Sequence, residues 1–142
     1  MMKKIEIIHL AGVATVALGL ALSTLTPAAA ADDPRLGRVW KEIESNVWEG
    51  TWTRRGTSNV FDAEWRRTGT NDIRTGVLTM EFTGRPGTVD QDTILIFRQD
   101  DRGGRCNYIG HFSSPANHNS AGGTYSCVGG GTAKWAASIV AR

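Results

Sequence analysis

The segment from Arg105 to Val128 constrains the fold more than any other, because it reads almost the same in both directions. Cys106, Tyr108 and Gly110 recur in reverse as Gly123, Tyr125 and Cys127, and the residue numbers of each matching pair sum to 233. A constant index sum is the register of an antiparallel hairpin, and the spacing of two puts all three pairs on one face of the sheet. The same sum sets Ser114 opposite Asn119 and leaves Pro115-Ala116-Asn117-His118 as a loop rich in turn formers. Cys106 and Cys127 are then direct cross-strand neighbours, and a disulfide between them is expected.

The compartment fits that disulfide. Lys3 and Lys4 precede a mainly apolar run from Leu10 to Leu25, and Pro27 leads into Ala28-Ala29-Ala30-Ala31. This order of basic, apolar and small residues predicts a secretory signal peptide over 1–31, cleaved after Ala30 or Ala31. The expected product is secreted or periplasmic, with no membrane association after cleavage, and an even cysteine count in that setting pairs. Removing Lys3, Lys4 and Glu6 takes the whole-chain charge of +2 to about +1, which argues against nucleic-acid or membrane binding by bulk charge. About 111 residues remain, room for one small domain.

Asp32-Asp33-Pro34 has the form of a helix start, and Leu36, Val39, Trp40, Ile43 and Val47 follow at helical spacing. A short helix within 32–46, covering one end of the domain, is the expectation. From 47 to 142 the period changes to two. Trp48 to Thr53, Val60 to Arg66 and Thr75 to Thr83 alternate apolar with polar. Ile94-Leu95-Ile96-Phe97 is apolar on both faces, which predicts a strand covered on both sides. The mirrored hairpin and a last strand, Ala133 to Ala141, complete the set. The fold class is all-β, an antiparallel up-and-down meander of seven or eight strands forming a small barrel. Seven alternating strands would leave the first and last parallel, so either a short strand is still to be found, with Thr88 to Asp90 the candidate, or the sheet closes irregularly.

Gly50-Thr51-Trp52 adds a family likeness. A Gly-x-Trp after a short N-terminal element resembles the opening of the lipocalin and avidin barrels. Residues 50–63 are similar to the first hairpin of streptavidin, and Ala133 to Val140 is similar to its last strand. The resemblance implies a small exported calycin-like barrel of a bacterial kind, with the Gly-x-Trp tryptophan packed near a basic residue of the last strand, Lys134 or Arg142. It does not imply biotin binding. The middle tryptophans of an avidin pocket have no counterpart between Arg66 and Ala133, and the chain ends before the ureido-binding Asp.

Catalytic and metal patterns give no assignment. No Gly-x-Ser-x-Gly elbow is present. His111 and His118 lack a ligand set once the cysteines are paired, and Asp90 and Asp92 lack the Gly and Glu of a calcium loop. The reading is a non-enzymatic protein without cofactor or metal. A small exported enzyme whose site the sequence does not reveal is the third-ranked alternative, behind two non-enzymatic uses. Trp52, Trp65, Tyr108, Tyr125 and Trp135 face inward among small residues (Gly50, Ala63, Gly110, Gly123, Ala137), and with Arg54 and Arg66 at the mouth they are candidate contacts for a small apolar or amphipathic ligand. Alternatively Arg54, Arg55, Arg66 and Arg67 form a basic rim through which the domain engages a secreted or envelope protein.

Overall fold

Period-two burial runs along strand after strand, and it closes the chain on itself. The computed structural model describes Asp33 and residues 35–83, 93–114 and 117–142. The signal segment, Asp32, Pro34, Thr88 to Asp90 and the Asp90/Asp92 pair lie outside the described residues. Eight strands follow one another: β1 (Val39–Glu44), β2 (Trp48–Arg54), β3 (Val60–Arg67), β4 (Ile73–Thr83), β5 (Thr93–Asp100), β6 (Arg105–Phe112), β7 (Ser120–Cys127) and β8 (Thr132–Ala141). Each pairs antiparallel with the next, and β8 returns to β1, so the sheet is a closed up-and-down barrel.

The mirrored segment forms as its index sum requires. Cys106 faces Cys127, Tyr108 faces Tyr125 and Gly110 faces Gly123, and the two cysteines are joined. The β3 and β4 alternations also hold, with Phe61, Ala63, Trp65, Leu78 and Met80 buried inside.

The expected N-terminal helix is not present over the residues described. Val39–Glu44 is the first strand of the barrel, paired with β2 on one side and β8 on the other. Its inward residues are Trp40, Glu42 and Glu44, all buried, while Lys41 and the half-exposed Ile43 point out. The helical spacing was misleading because two carboxylates occupy inward positions, where alternation normally puts apolar residues. With β1 counted, the strands number eight and first meets last antiparallel, so no strand at Thr88 to Asp90 is needed for closure. Ser45 and Asn46 turn β1 into β2, both with left-handed backbones (φ 49° and 57°), as in primed hairpin turns. The end-covering role falls to an irregular segment instead. Leu36 is buried and its carbonyl accepts from the Trp40 indole at 2.5 Å. Arg35 is also buried, ion-paired with Asp33 at 2.6 Å and stacked over Phe82.

The strand Thr93–Asp100 is corrected in the same way. It is apolar on both faces but covered on one: Ile94 and Ile96 are buried, Leu95 is half-buried and Phe97 is 46% exposed on the outer wall.

The disulfide closes a loop of about 20 residues, for which chain entropy gives about 3 kcal/mol. Replacing Cys106 and Cys127 together by Ala is expected to lower the unfolding free energy by about that amount, read from denaturant melts, with the barrel's far-ultraviolet spectrum retained below the transition.

Candidate functional site

The barrel interior is layered by chemistry. The end that carries the turns after β2, β4 and β6 is apolar, with Leu36, Trp40, Phe61 and Phe112 buried there. Towards the other end the inward positions become polar. β1 contributes Glu42 and Glu44, β5 contributes Arg98 and Asp100, and β6 contributes Tyr108, all buried.

These groups form one network. Glu42 Oε2 accepts from both the Trp52 and the Trp65 indole N–H, at 2.9 and 2.7 Å. Glu44 Oε1 accepts from Arg98 at 2.8 Å and from the Tyr108 hydroxyl. Arg98 donates to Tyr108 at 2.9 Å, reaches Asp100 at 3.5 Å and lies over the Trp65 ring, its guanidinium carbon 3.7 Å from the centroid. Asp100 accepts in addition from the backbone N–H of Arg102 and Gly104, which ties the network to the β5–β6 turn. Tyr108 stacks on Tyr125 and meets Trp135 edge-on, and Trp52 packs against Trp40, Tyr108 and Trp135.

Charge counting explains the protonation pattern. Three buried carboxyls surround one guanidinium, which water-free surroundings do not favour. Burial first, and then the Glu44 carboxylate, push Glu42 well above the ordinary carboxyl range, so it is held as a neutral acid. Its Oε1 is buried and has no hydrogen-bond partner among the described residues. Burial and the same two carboxyls drive the Tyr108 phenol far upward, so it stays protonated and donates. Burial opposes the charge on Arg98, but its hydrogen bonds to the Tyr108 hydroxyl and the Glu44 carboxyl outweigh it and hold the guanidinium ionised.

Five of the expected ligand contacts therefore come together. Trp52, Trp65, Tyr108 and Trp135 are at most 3% exposed, and only Tyr125 is partly open. The space left by the small inward residues is taken by the chain's own groups. A Cβ on Gly110 would lie 2.6 Å from the Trp135 ring, and one on Gly50 would lie 2.6 Å from Glu42 and 3.0 Å from Trp65.

The arginines do not form a rim. Register places Arg54 beside Phe61 and Arg66 beside Glu49, so Arg54 and Arg55 sit at one end of the barrel and Arg66 and Arg67 at the other, about 20 Å apart along the strands. Arg55 pairs with Asp62 at 2.5 Å and Arg66 with Glu64 at 3.8 Å, while Arg54 donates to the Ser58 and Thr57 carbonyls. The Gly-x-Trp tryptophan likewise meets a carboxyl, Glu42, rather than a base. Lys134 is exposed on the outer wall, and Arg142 donates to the Asn117–Asn119 turn. Glu42, Glu44, Arg98 and Asp100 were not legible as site residues, because charged residues in strands are assigned to solvent until their partners across the barrel are known.

No protein-family model matches the chain, and no curated protein is significantly similar to it.

The two β1 carboxyls are expected to respond differently to amidation. Glu42→Gln keeps an acceptor for both indoles, and at a pH below the ordinary carboxyl value of 4.5 it should change stability by less than about 1 kcal/mol. Glu44→Gln leaves Arg98 short of its counter-charge and should cost about 3 kcal/mol. The wild type should also lose stability as pH rises. Below the ordinary carboxyl value of 4.5 Glu42 is protonated in both states and its contribution is complete. Above it the unfolded chain ionises while the folded one does not, until the pH passes the raised folded value. Urea midpoints measured across pH should fall for the wild type over that range and flatten in Glu42→Gln.

Proposed function

We propose that this chain is an exported, non-enzymatic binding module that engages a protein partner through the outer wall of a filled calycin-like barrel. The observation that carries this is the filling itself: the gaps at the inward Gly50, Gly76 and Gly110 are occupied by the Trp65 and Trp135 rings and the Glu42 carboxyl. Eight strands enclose an interior that side chains alone can fill, or that holds one small ligand at most. Here the expected ligand contacts are spent on one another, so a ligand would have to displace buried rings and a hydrogen-bonded ion pair to enter.

The outer wall supports the reading from the other side. Phe97, Ile109 and Ile43 are each about half exposed (46, 51 and 50%). Register makes them part of one band: Leu95 faces Ile109, Ile109 faces Thr124, Gly122 faces Ala136, and Ala136 faces Ile43. Gly122, Thr124 and Ala136 are small, and between Ile43 and Thr124 the wall sinks into an open groove of about 760 Å³. Large apolar side chains exposed together on a rigid surface are what a docking face requires. Export is supported by the leader-like pattern of residues 1–31 and by the disulfide. The Gly-x-Trp likeness is consistent with a relationship to the exported avidin and lipocalin barrels of bacteria.

Replacing Ile109 by the photo-crosslinker p-benzoylphenylalanine, in the producing cell, is expected to give a discrete protein adduct, and the same replacement at the exposed Thr53 on the opposite wall to give none. In parallel, titration with a fatty acid or with anilinonaphthalene sulfonate should leave tryptophan emission unchanged. No adduct from position 109, together with a saturable emission shift, would return the function to a small ligand in the barrel mouth.

A further inference from the structure

The two halves of the outer wall differ in sign. On β2, β3 and β4 the outward residues include Glu49, Asp62, Glu64 and Glu81, and the arginines there are neutralised locally, Arg55 by Asp62 and Arg66 by Glu64. On β5 through β8 and β1 no outward strand residue is acidic. The ionisable ones are Arg105, His111, Lys134 and Lys41, all exposed. Lys41 donates to the Thr51 hydroxyl at 2.6 Å, and none of Lys41, Arg105 and Lys134 is ion-paired with a carboxylate among the described residues.

These cations border the apolar band. Lys134 faces Thr124, which faces Ile109, so Lys134 lies two strands, about 10 Å, from the centre of the band. Arg105 precedes Ile109 on the same outward row of β6, and Lys41 precedes Ile43 on that of β1. Because the sheet is closed, no strand edge is available for β-augmentation. Recognition at this wall runs through side chains.

Resting on the outer-wall reading above, we infer that the partner is an acidic protein segment, presenting carboxylates around an apolar centre that seats on Ile109 and Phe97 and pairs with Lys134, Lys41 and Arg105. A second copy in a two-fold arrangement would set this cationic wall against itself. An anionic membrane is the weaker occupant, because three cations spread over a wall interleaved with Thr, Ser, Asn and Gln supply only about 1 kcal/mol each at a lipid surface and the band lacks a continuous apolar face to insert.

The test uses ¹⁵N-labelled protein from the exporting cell, titrated with a short glutamate-rich peptide carrying a central Leu-Phe-Leu. The Gln-for-Glu version of that peptide and phosphatidylglycerol vesicles serve as the other arms. Expected are amide shifts at Phe97, Ile109, Thr124 and Lys134 with the glutamate peptide. Binding should weaken as salt is raised, and about tenfold in the double variant Lys41→Glu/Lys134→Glu. The amide spectrum of that variant reports whether its fold is intact. Equal response to the Gln peptide, shifts on the β2–β4 wall, no shifts, or a response to vesicles alone would each overturn the inference. The photo-adduct at position 109 separates the two levels: an adduct that persists while the acidic peptide fails leaves the outer-wall reading standing with a non-acidic partner, and loss of the adduct removes both.

Discussion

The pairing of Glu44 with Arg98 inside the barrel is the contact on which the rest of the polar interior depends. It joins the first strand to the fifth across the lumen, with the Tyr108 hydroxyl closing the triangle. Truncating either partner would strand a charge with almost no access to water, the costly case for buried ions. The neighbours answer to this pair. Burial, with Glu44 adding to it, raises Glu42 well above the ordinary carboxyl range, and Glu42 anchors the Trp52 and Trp65 indoles. The Trp65 ring in turn forms the floor on which the Arg98 guanidinium lies.

This arrangement resolves a problem of volume. A barrel of eight strands has a lumen that its own side chains fill only if large rings are matched with small residues opposite. Gly110 makes room for Trp135, Gly50 and Gly76 make room for Trp65, and Gly123 lets its strand approach the Ile109–Gly110 backbone. The glycines belong to the packing of tryptophans rather than to a vacant pocket. On the outside the chain exposes Phe97 and Ile109 near Lys41, Arg105 and Lys134, none of which is ion-paired among the described residues.

How much was legible in the sequence followed from where each residue's partner lies. The β6–β7 hairpin could be read to the residue because its partners are close along the chain and repeat one another in mirror order. β3 and β4 could be read because Phe61, Ala63, Trp65, Leu78 and Met80 alternate with polar residues. β1 was misread because Trp40, Glu42 and Glu44 alternate inward with charge in two of three places, and the helical spacing of Leu36, Val39, Trp40, Ile43 and Val47 offered a more familiar pattern. Two signals pointed the other way: the odd strand count demanded an eighth strand, and Ser45-Asn46 lies between two β-rich runs as a hairpin turn would. Arg98 and Asp100 were hidden in a similar way, since the counter-charge of Arg98, Glu44, stands across the lumen on the first strand and the donors to Asp100 lie in a turn. The arginine rim failed on register, because strands of seven and eight residues carry Arg54 and Arg66 to opposite ends.

The network holds the lumen shut, and the indole protons that Glu42 accepts report on that closure directly. Hydrogen exchange at the Nε1–H of Trp52 and Trp65, followed by NMR, should proceed only through global unfolding, with an opening free energy equal to that of the slowest strand amides. Exchange at a much lower opening free energy, with the strands still protected, would mean that water enters the lumen freely, and would contradict the account.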